Sequence, residues 1–257
     1  MSEIHPTAII DSKAEIGNNV SVGPYTIIDA DVKIADNVKI GPHVQIASGT
    51  EIGEGCKIYK GAVLGTEPQD LKFENEKTFL VIGKNTTIRE FATLNRATTH
   101  SYYTRIGDNC LLMAYSHVAH DCHIGNNVIL ANSVNLAGHV IIEDFVGIGG
   151  LTPVHQFVKI GTQSFIGGGL RIPKDVPPYI LAMGEPLQFA GLNKIGLVRR
   201  GFTEETLSAL RNSYKILYRQ NNTIKEAIQI ISESYTSIPE VMHLVDFLKN
   251  CDRGIIR

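Results

Sequence analysis

The chain has 257 residues, enough to bury a full core as one large domain or as a large domain with a smaller one. Its 24 Lys+Arg against 26 Asp+Glu leave a formal net charge of −2, which argues against nucleic acid as the main partner. The opening residues MSEIHPTAII lack a basic segment followed by an apolar run, and no stretch reaches the apolar length of a membrane helix, so no signal peptide and no integral membrane contact are expected.

From the N-terminus an aliphatic residue falls on every sixth position: Ile4, Ile10, Ile16, Val22, Ile28, Ile34, Ile40, Ile46, Ile52, Ile58 and Leu64. The series resumes in phase at Ile82, Ile88 and Leu94, and again from Ile106 to Ile172. A turn residue usually follows, as in Ile16-Gly17 and Ile124-Gly125. Neither a helical period nor simple strand alternation gives this spacing. It is the signature of a hexapeptide parallel β-helix, in which three short strands and three corners complete each triangular coil. About nine stacked coils would bury the aliphatic column and satisfy one another's backbone groups.

Cys56, Cys110 and Cys122 each lie two residues before a repeat aliphatic, where the other residues are small, as at Thr26, Ser116 and Val128. These thiols are expected to be small buried hydrophobes in a reduced, cytoplasmic protein, with Cys251 alone near the end. Residues 65–81 and 95–105 lose the marker without losing phase, and are predicted to be loops projecting from corners. The first brings Gln69, Asp70 and Lys72 close together.

After Ile172, Pro173, Pro177 and Pro178 break regular structure, and residues 173–190 are expected to be a linker closing the repeat domain, 1–190. A small helical domain, 191–257, follows. A short helix is expected near Asn193 to Arg200, then one capped by Thr203 and one opened by a Thr223/Glu226 capping box. Ser237 and Glu240 suggest the same device before a last helix.

Five of the nine histidines, His117, His120, His123, His139 and His155, fall between Leu111 and Val158. Residues one coil apart stack at roughly 4.8 Å, so His120, Gly138 and Gln156 line up on successive coils, with His139 and His155 one residue off that line. Three readings compete. The histidines are polar corner residues of a non-catalytic binding β-helix; or they hold a metal, as in γ-class carbonic anhydrases; or one is the general base of acyl transfer. A free imidazole titrates near pH ~6.5 and can take a proton from an attacking hydroxyl. Asp121 could orient it, and a bare Gly138 N–H suits an oxyanion.

The segments HVAHDCHIGNNVILANSVNLAGHV, GGLTPVHQF, PQDLKF, KDVPPY and VRRGF together resemble the UDP-N-acetylglucosamine acyltransferases of lipid A biosynthesis, essentially end to end. The resemblance implies a left-handed parallel β-helix with C-terminal helices, a homotrimer with sites between subunits, and transfer of an (R)-3-hydroxyacyl group from acyl carrier protein to the sugar 3-hydroxyl. It implies no metal and no cofactor beyond the phosphopantetheine of the carrier. His120 corresponds to the general base, Asp121 to its support and Gly138 to the oxyanion donor. His117, His139, His155 and Gln156 would line the sugar diphosphate. Gln69, Asp70 and Lys72 would contact substrate from the first loop, and Asn193, Arg199 and Arg200 the nucleotide phosphates. Ile195 replaces a glutamate carried by many relatives. Gly168 matches an acyl-chain ruler and implies a long chain. Lys159, Arg171 and Lys174 are candidate contacts for an acidic carrier.

Overall fold

A computed structural model describes residues 3–220 and 222–257. The hexapeptides form two- to four-residue strands in three parallel sheets, and nine of these strands, from Glu3–Ile4 to Phe165–Ile166, follow one another in the first sheet. The second sheet runs from Ile9–Ile10 to Pro153–Val154, and the third from Glu15–Ile16 to Lys159–Ile160. In most of the two-residue strands the repeat aliphatic alone turns inward. From Val22 to Ile172 every repeat aliphatic is buried, whereas Ile4 at the open end stays 47% exposed. Truncating one of these, such as Leu130→Ala, would cost about 2–5 kcal/mol.

Corners need a left-handed residue, and the fold places one there whatever its type: Asn37, Asn127, Tyr115, Leu151, Asp121 and His139 all have positive φ. One edge is tied by a ladder in which the Lys84, Asp108 and Asn126 amides donate to Asp108, Asn126 and Asp144 side chains at 2.7–2.8 Å. Partner strands are normally eighteen residues apart, as in His117 with Asn135. The interval lengthens to thirty between Lys57 and Thr87 and to twenty-four between Thr87 and Leu111. Both are multiples of six, so the phase survives each excursion. The projecting parts are shorter than the marker loss suggests, because strands persist through Thr66 and Asn95 and restart at Phe79 and Tyr103.

The cysteines are free; Cys56, Cys110 and Cys122 are buried in the column, and burial pushes the Cys56 thiol up to about 11 and Cys122 to about 12. Residues 173–190 are not a loose linker. Strand Ile180–Met183 adds in parallel to the first sheet, and Gln188–Leu192 pairs with it antiparallel. Val154–Ile172 and Ile160–Val176 bridges finish the other two sheets. The open edge of the prism is thereby covered.

Helices α1 (Lys194–Arg199), α2 (Glu204–Arg219), α3 (Ile224–Ser234) and α4 (Pro239–Lys249) complete the chain. Thr203 caps α2 and the Thr223/Glu226 box opens α3. Ser237 and Glu240 form no box: Pro239 takes the first helical position, where its missing N–H costs nothing, and makes Ile238 the cap without a side-chain bond. Buried Tyr214 of α2 stacks on Phe189 at 5.1 Å and donates its hydroxyl to the Pro178 carbonyl, fastening the helices to the prism. His243 of α4 bonds Glu143 of the prism at 2.8 Å. Among the described residues, no helix is long and apolar enough to cross a membrane.

Candidate active site

The corner between strands His117–Val118 of the second sheet and His123–Ile124 of the third carries His120 and Asp121. Asp121 is buried and its Oδ2 lies 2.8 Å from His120 Nδ1. The excursion below wraps the same carboxylate. Thr98 gives Oδ2 its N–H at 3.1 Å and its hydroxyl at 2.7 Å, while Ser101 gives Oδ1 its N–H at 3.0 Å and its hydroxyl. Burial works to raise the Asp121 pKa, but the bonds from His120, Ser101 and Thr98 outweigh it and hold the carboxyl well below its usual range. An ionised carboxylate only accepts, so His120 Nδ1 carries a proton, and in the neutral imidazole Nε2 is the nitrogen left to accept one.

Gly138 sits one coil above, against the imidazole. A Cβ there would stand 2.7 Å from His120 Cε1 and 2.8 Å from Nε2, so no side chain fits without displacing the imidazole. The next residue, His139, stacks face to face on Phe157 at 4.3 Å and meets His120 edge-on at 5.0 Å. Its Nδ1 is buried without a hydrogen-bond partner, 4.0 Å from Asp121 Oδ2. Burial lowers its pKa, with the Asp121 charge opposing, so a neutral ring is favoured.

The remaining histidines flank this corner. His117 bonds Thr93 Oγ1 at 2.7 Å on the second sheet, and burial lowers its pKa. His123 faces outward on the third sheet. His155 Nδ1 lies 3.1 Å from the Gln156 carbonyl, which can only accept, so Nδ1 is the donor in that contact. The structure also brings Asp70 close enough for its charge to bear on His139. Asp70 caps its own turn through the Lys72 amide at 3.0 Å, and Gln69 and Lys72 are exposed beside it.

Four expected site residues lie elsewhere in the single chain. Asn193 caps α1, accepting from the Gly196 N–H and donating to the Gln163 carbonyl at 2.9 Å. Arg199 is exposed in the last turn of α1. Arg200 lies over the Phe145 ring at 4.9 Å, and Phe145 is on the edge between the third and first sheets. Gly168 is exposed on the remaining edge, where a Cβ would meet the Gly150 carbonyl at 3.0 Å. Thr98, Ser101 and His100 were not singled out by spacing. The hydroxyl-rich run Ala97-Thr98-Thr99-His100-Ser101 is the one signal that could have marked them.

His120, Asp121 and His139 have ligand atoms within 4.8 Å of one another, a grouping that could hold a metal. The donor chemistry fits a proton relay better. Asp121 Oδ2 already accepts from His120 and twice from Thr98, and Oδ1 accepts twice from Ser101, which fills the carboxylate's lone pairs.

Comparison with known proteins places the chain in a family. Residues 175–256 match the family model described as UDP N-acetylglucosamine O-acyltransferase, domain 2. Residues 31–66 and 103–138 match the bacterial transferase hexapeptide model of six repeats. An acyl-[acyl-carrier-protein]–UDP-N-acetylglucosamine O-acyltransferase of Thermodesulfovibrio yellowstonii is 48% identical over the full length of both chains. One from a Sulfurihydrogenibium species is 54% identical over 99% of this chain and 94% of its own. The crystal structure of a UDP-N-acetylglucosamine acyltransferase from Bacteroides fragilis superposes with a TM-score of 0.96 at 43% identity, covering 98% of this chain and 99% of that one. An Acinetobacter baumannii structure gives 0.96 at 42% identity, covering 99% of each. The fold is therefore a left-handed parallel β-helix with a C-terminal helical unit. With its whole length shared at this identity, the chain belongs to the acyl-[acyl-carrier-protein]–UDP-N-acetylglucosamine O-acyltransferase family.

Proposed function

We propose that the protein transfers an (R)-3-hydroxyacyl group from acyl carrier protein to the 3-hydroxyl of UDP-N-acetylglucosamine, the first step of lipid A biosynthesis, in the cytoplasm. Family membership supports the substrates, and the observation that carries the mechanism is the Asp121–His120–Gly138 arrangement. The sugar hydroxyl gives its proton to His120 Nε2 as its oxygen attacks the thioester carbonyl. The Gly138 N–H donates to the oxyanion of the tetrahedral intermediate, and buried Asp121 stabilises the imidazolium. Collapse expels the carrier thiolate, which takes the proton back from His120. The cysteine thiols, buried and raised in pKa, support direct transfer without a covalent intermediate. The carrier's own phosphopantetheine supplies the thioester, so the mechanism calls for no added cofactor and no metal.

The reading extends to the assembly. Arg200 lies over Phe145 on a different edge from His120, which argues against one protomer bringing both to one substrate. A homotrimer in which a neighbour's Asn193, Arg199 and Arg200 hold the nucleotide phosphates, and His117, His139, His155 and Gln156 line the sugar, accounts for this separation. Gln69, Asp70 and Lys72 contact substrate from the loop, and the bare Gly168 leaves room for a long acyl chain. Lys159 is less suited to receive the carrier than its charge suggests, because it is bonded to Asp252 at 2.8 Å.

The test is acyl transfer from 3-hydroxyacyl carrier protein to UDP-N-acetylglucosamine by wild type and His120→Ala in metal-free buffer. Transfer by wild type that is abolished in a folded variant supports both reaction and base. Activity surviving in His120→Ala would remove His120 from the role, and no transfer at any chain length would overturn the reaction.

A further inference from the structure

The second excursion carries a histidine that this mechanism leaves unused. His100 is exposed near its tip, and the chain on either side of it is fixed. Thr98 and Ser101 grip opposite oxygens of Asp121, and the His100 amide donates to Thr98 Oγ1 at 3.2 Å. One residue, Thr99, separates His100 from the first anchor, and Ser101 is the second. The backbone therefore delivers the His100 ring to the catalytic corner.

There it meets His139 edge-on, with ring centroids 4.5 Å apart and an interplanar angle of 76°. His139 is thus packed by three rings: Phe157 on a face, His120 on one edge and His100 on another. With Nδ1 unpartnered, the His139 ring is oriented by these contacts rather than by a hydrogen bond to that atom. His100 is the most exposed of the three histidines in this set and the one brought by an excursion outside the repeat.

We propose that His100 is a positioning residue of the acyl-transfer site, fixing the His139 ring for contact with the acceptor sugar. The inference rests on the acyltransferase reading above. A neutral imidazole offers one acceptor nitrogen to a hydroxyl or amide N–H of the sugar; an imidazolium offers none. The groups facing His139 are Asp121 and Asp70, which favour the charged ring, and His120 and His100, which oppose it alongside burial. Losing His100 removes both an orienting contact and a neighbour whose positive charge, when it is protonated, opposes protonation of His139.

The experiment compares wild type, His100→Ala and His100→Phe in the transfer assay, with kcat and KM measured for UDP-N-acetylglucosamine and for acyl carrier protein across pH. His100→Ala is expected to raise the acceptor KM about five- to tenfold while leaving the carrier KM within about twofold, and to move the acid limb of kcat/KM to higher pH. His100→Phe restores an edge contact without a charge, so it should recover most of the acceptor KM and keep the shifted limb. Because His100 is exposed, both variants should melt as wild type does. Unchanged acceptor KM and acid limb in His100→Ala would overturn the proposal, as would equal losses for both substrates. Absence of transfer by wild type would instead overturn the reaction on which it rests.

Discussion

Gly138 and His120 are packed so closely that a methyl group on one would occupy the space of the other: the Cβ of an alanine would lie 2.8 Å from His120 Nε2. Gly138→Ala must therefore push the imidazole away from Asp121 or tilt the backbone N–H proposed as the oxyanion donor. Its kcat is expected to fall by about 10²–10³, the order lost with an oxyanion-hole donor. Circular dichroism and melting close to wild type would assign the loss to the site; near-wild-type kcat would show that the N–H and the base need not share this contact.

Asp121 holds three residues, not one. In Asp121→Asn an amide replaces an oxygen that accepts from Ser101 or from Thr98 and His120, so donor would face donor. Loss of the His120 tautomer is expected to reduce kcat by about 10³–10⁴. The unmet donors of the excursion would also lower stability, by about 1–3 kcal/mol for each one left buried and unpaired. Urea unfolding measures the second effect, and a variant of unchanged stability would show that the excursion does not depend on the carboxylate.

The prism was legible because each two-residue strand commits one side chain inward, and Ile, Val or Leu at that position repeats without regard to the corner chemistry. The adjacency of His120 and Asp121 and the stacking of Gly138 followed from the same arithmetic. What the period could not reveal was anything the excursions do, since Thr98 and Ser101 reach Asp121 from a segment with no repeat marker. Tertiary pairing also overrode local signals at the end of the prism. Three prolines suggested a linker, yet strand Ile180–Met183 continues the first sheet just beyond them. Spacing within one chain likewise could not tell that Arg200 rests on Phe145, along a different edge from His120.

His243 and Glu143 join α4 to the prism, and the bond to Glu143 is the main cause of the raised His243 pKa, against the pull of burial. A raised folded pKa means the stabilisation is fully present below the unfolded value, near pH ~6.5, and is lost as pH rises through the folded value. The difference in Tm between wild type and His243→Gln should therefore be greatest in mild acid and shrink toward alkaline pH. A difference constant across that range would mean the pair contributes by packing rather than by charge.

Gly168 has no side chain where a Cβ would meet the Gly150 carbonyl at 3.0 Å. If this edge bounds the acyl chain, Gly168→Met should narrow the pocket and shift preference from donors of about fourteen carbons toward shorter ones, each excluded methylene being worth about 1–3 kcal/mol. Competition between long- and short-chain carrier thioesters reads the shift directly. An unchanged ratio in an active variant would move the ruler elsewhere.

The separation of Arg200 from His120 makes its own demand on the assembly. If Arg200 holds a nucleotide phosphate as proposed, Arg200→Ala alone should weaken UDP-N-acetylglucosamine binding and raise KM about tenfold or more. His120→Ala alone should be inactive. If one protomer supplies His120 and its neighbour supplies Arg200, mixed oligomers of the two variants contain some sites with both residues intact. Refolding or co-expressing the pair should then recover high-affinity turnover that neither variant shows alone. If both residues served one substrate from within a single chain, every site in the mixture would keep one defect, and mixing would restore nothing.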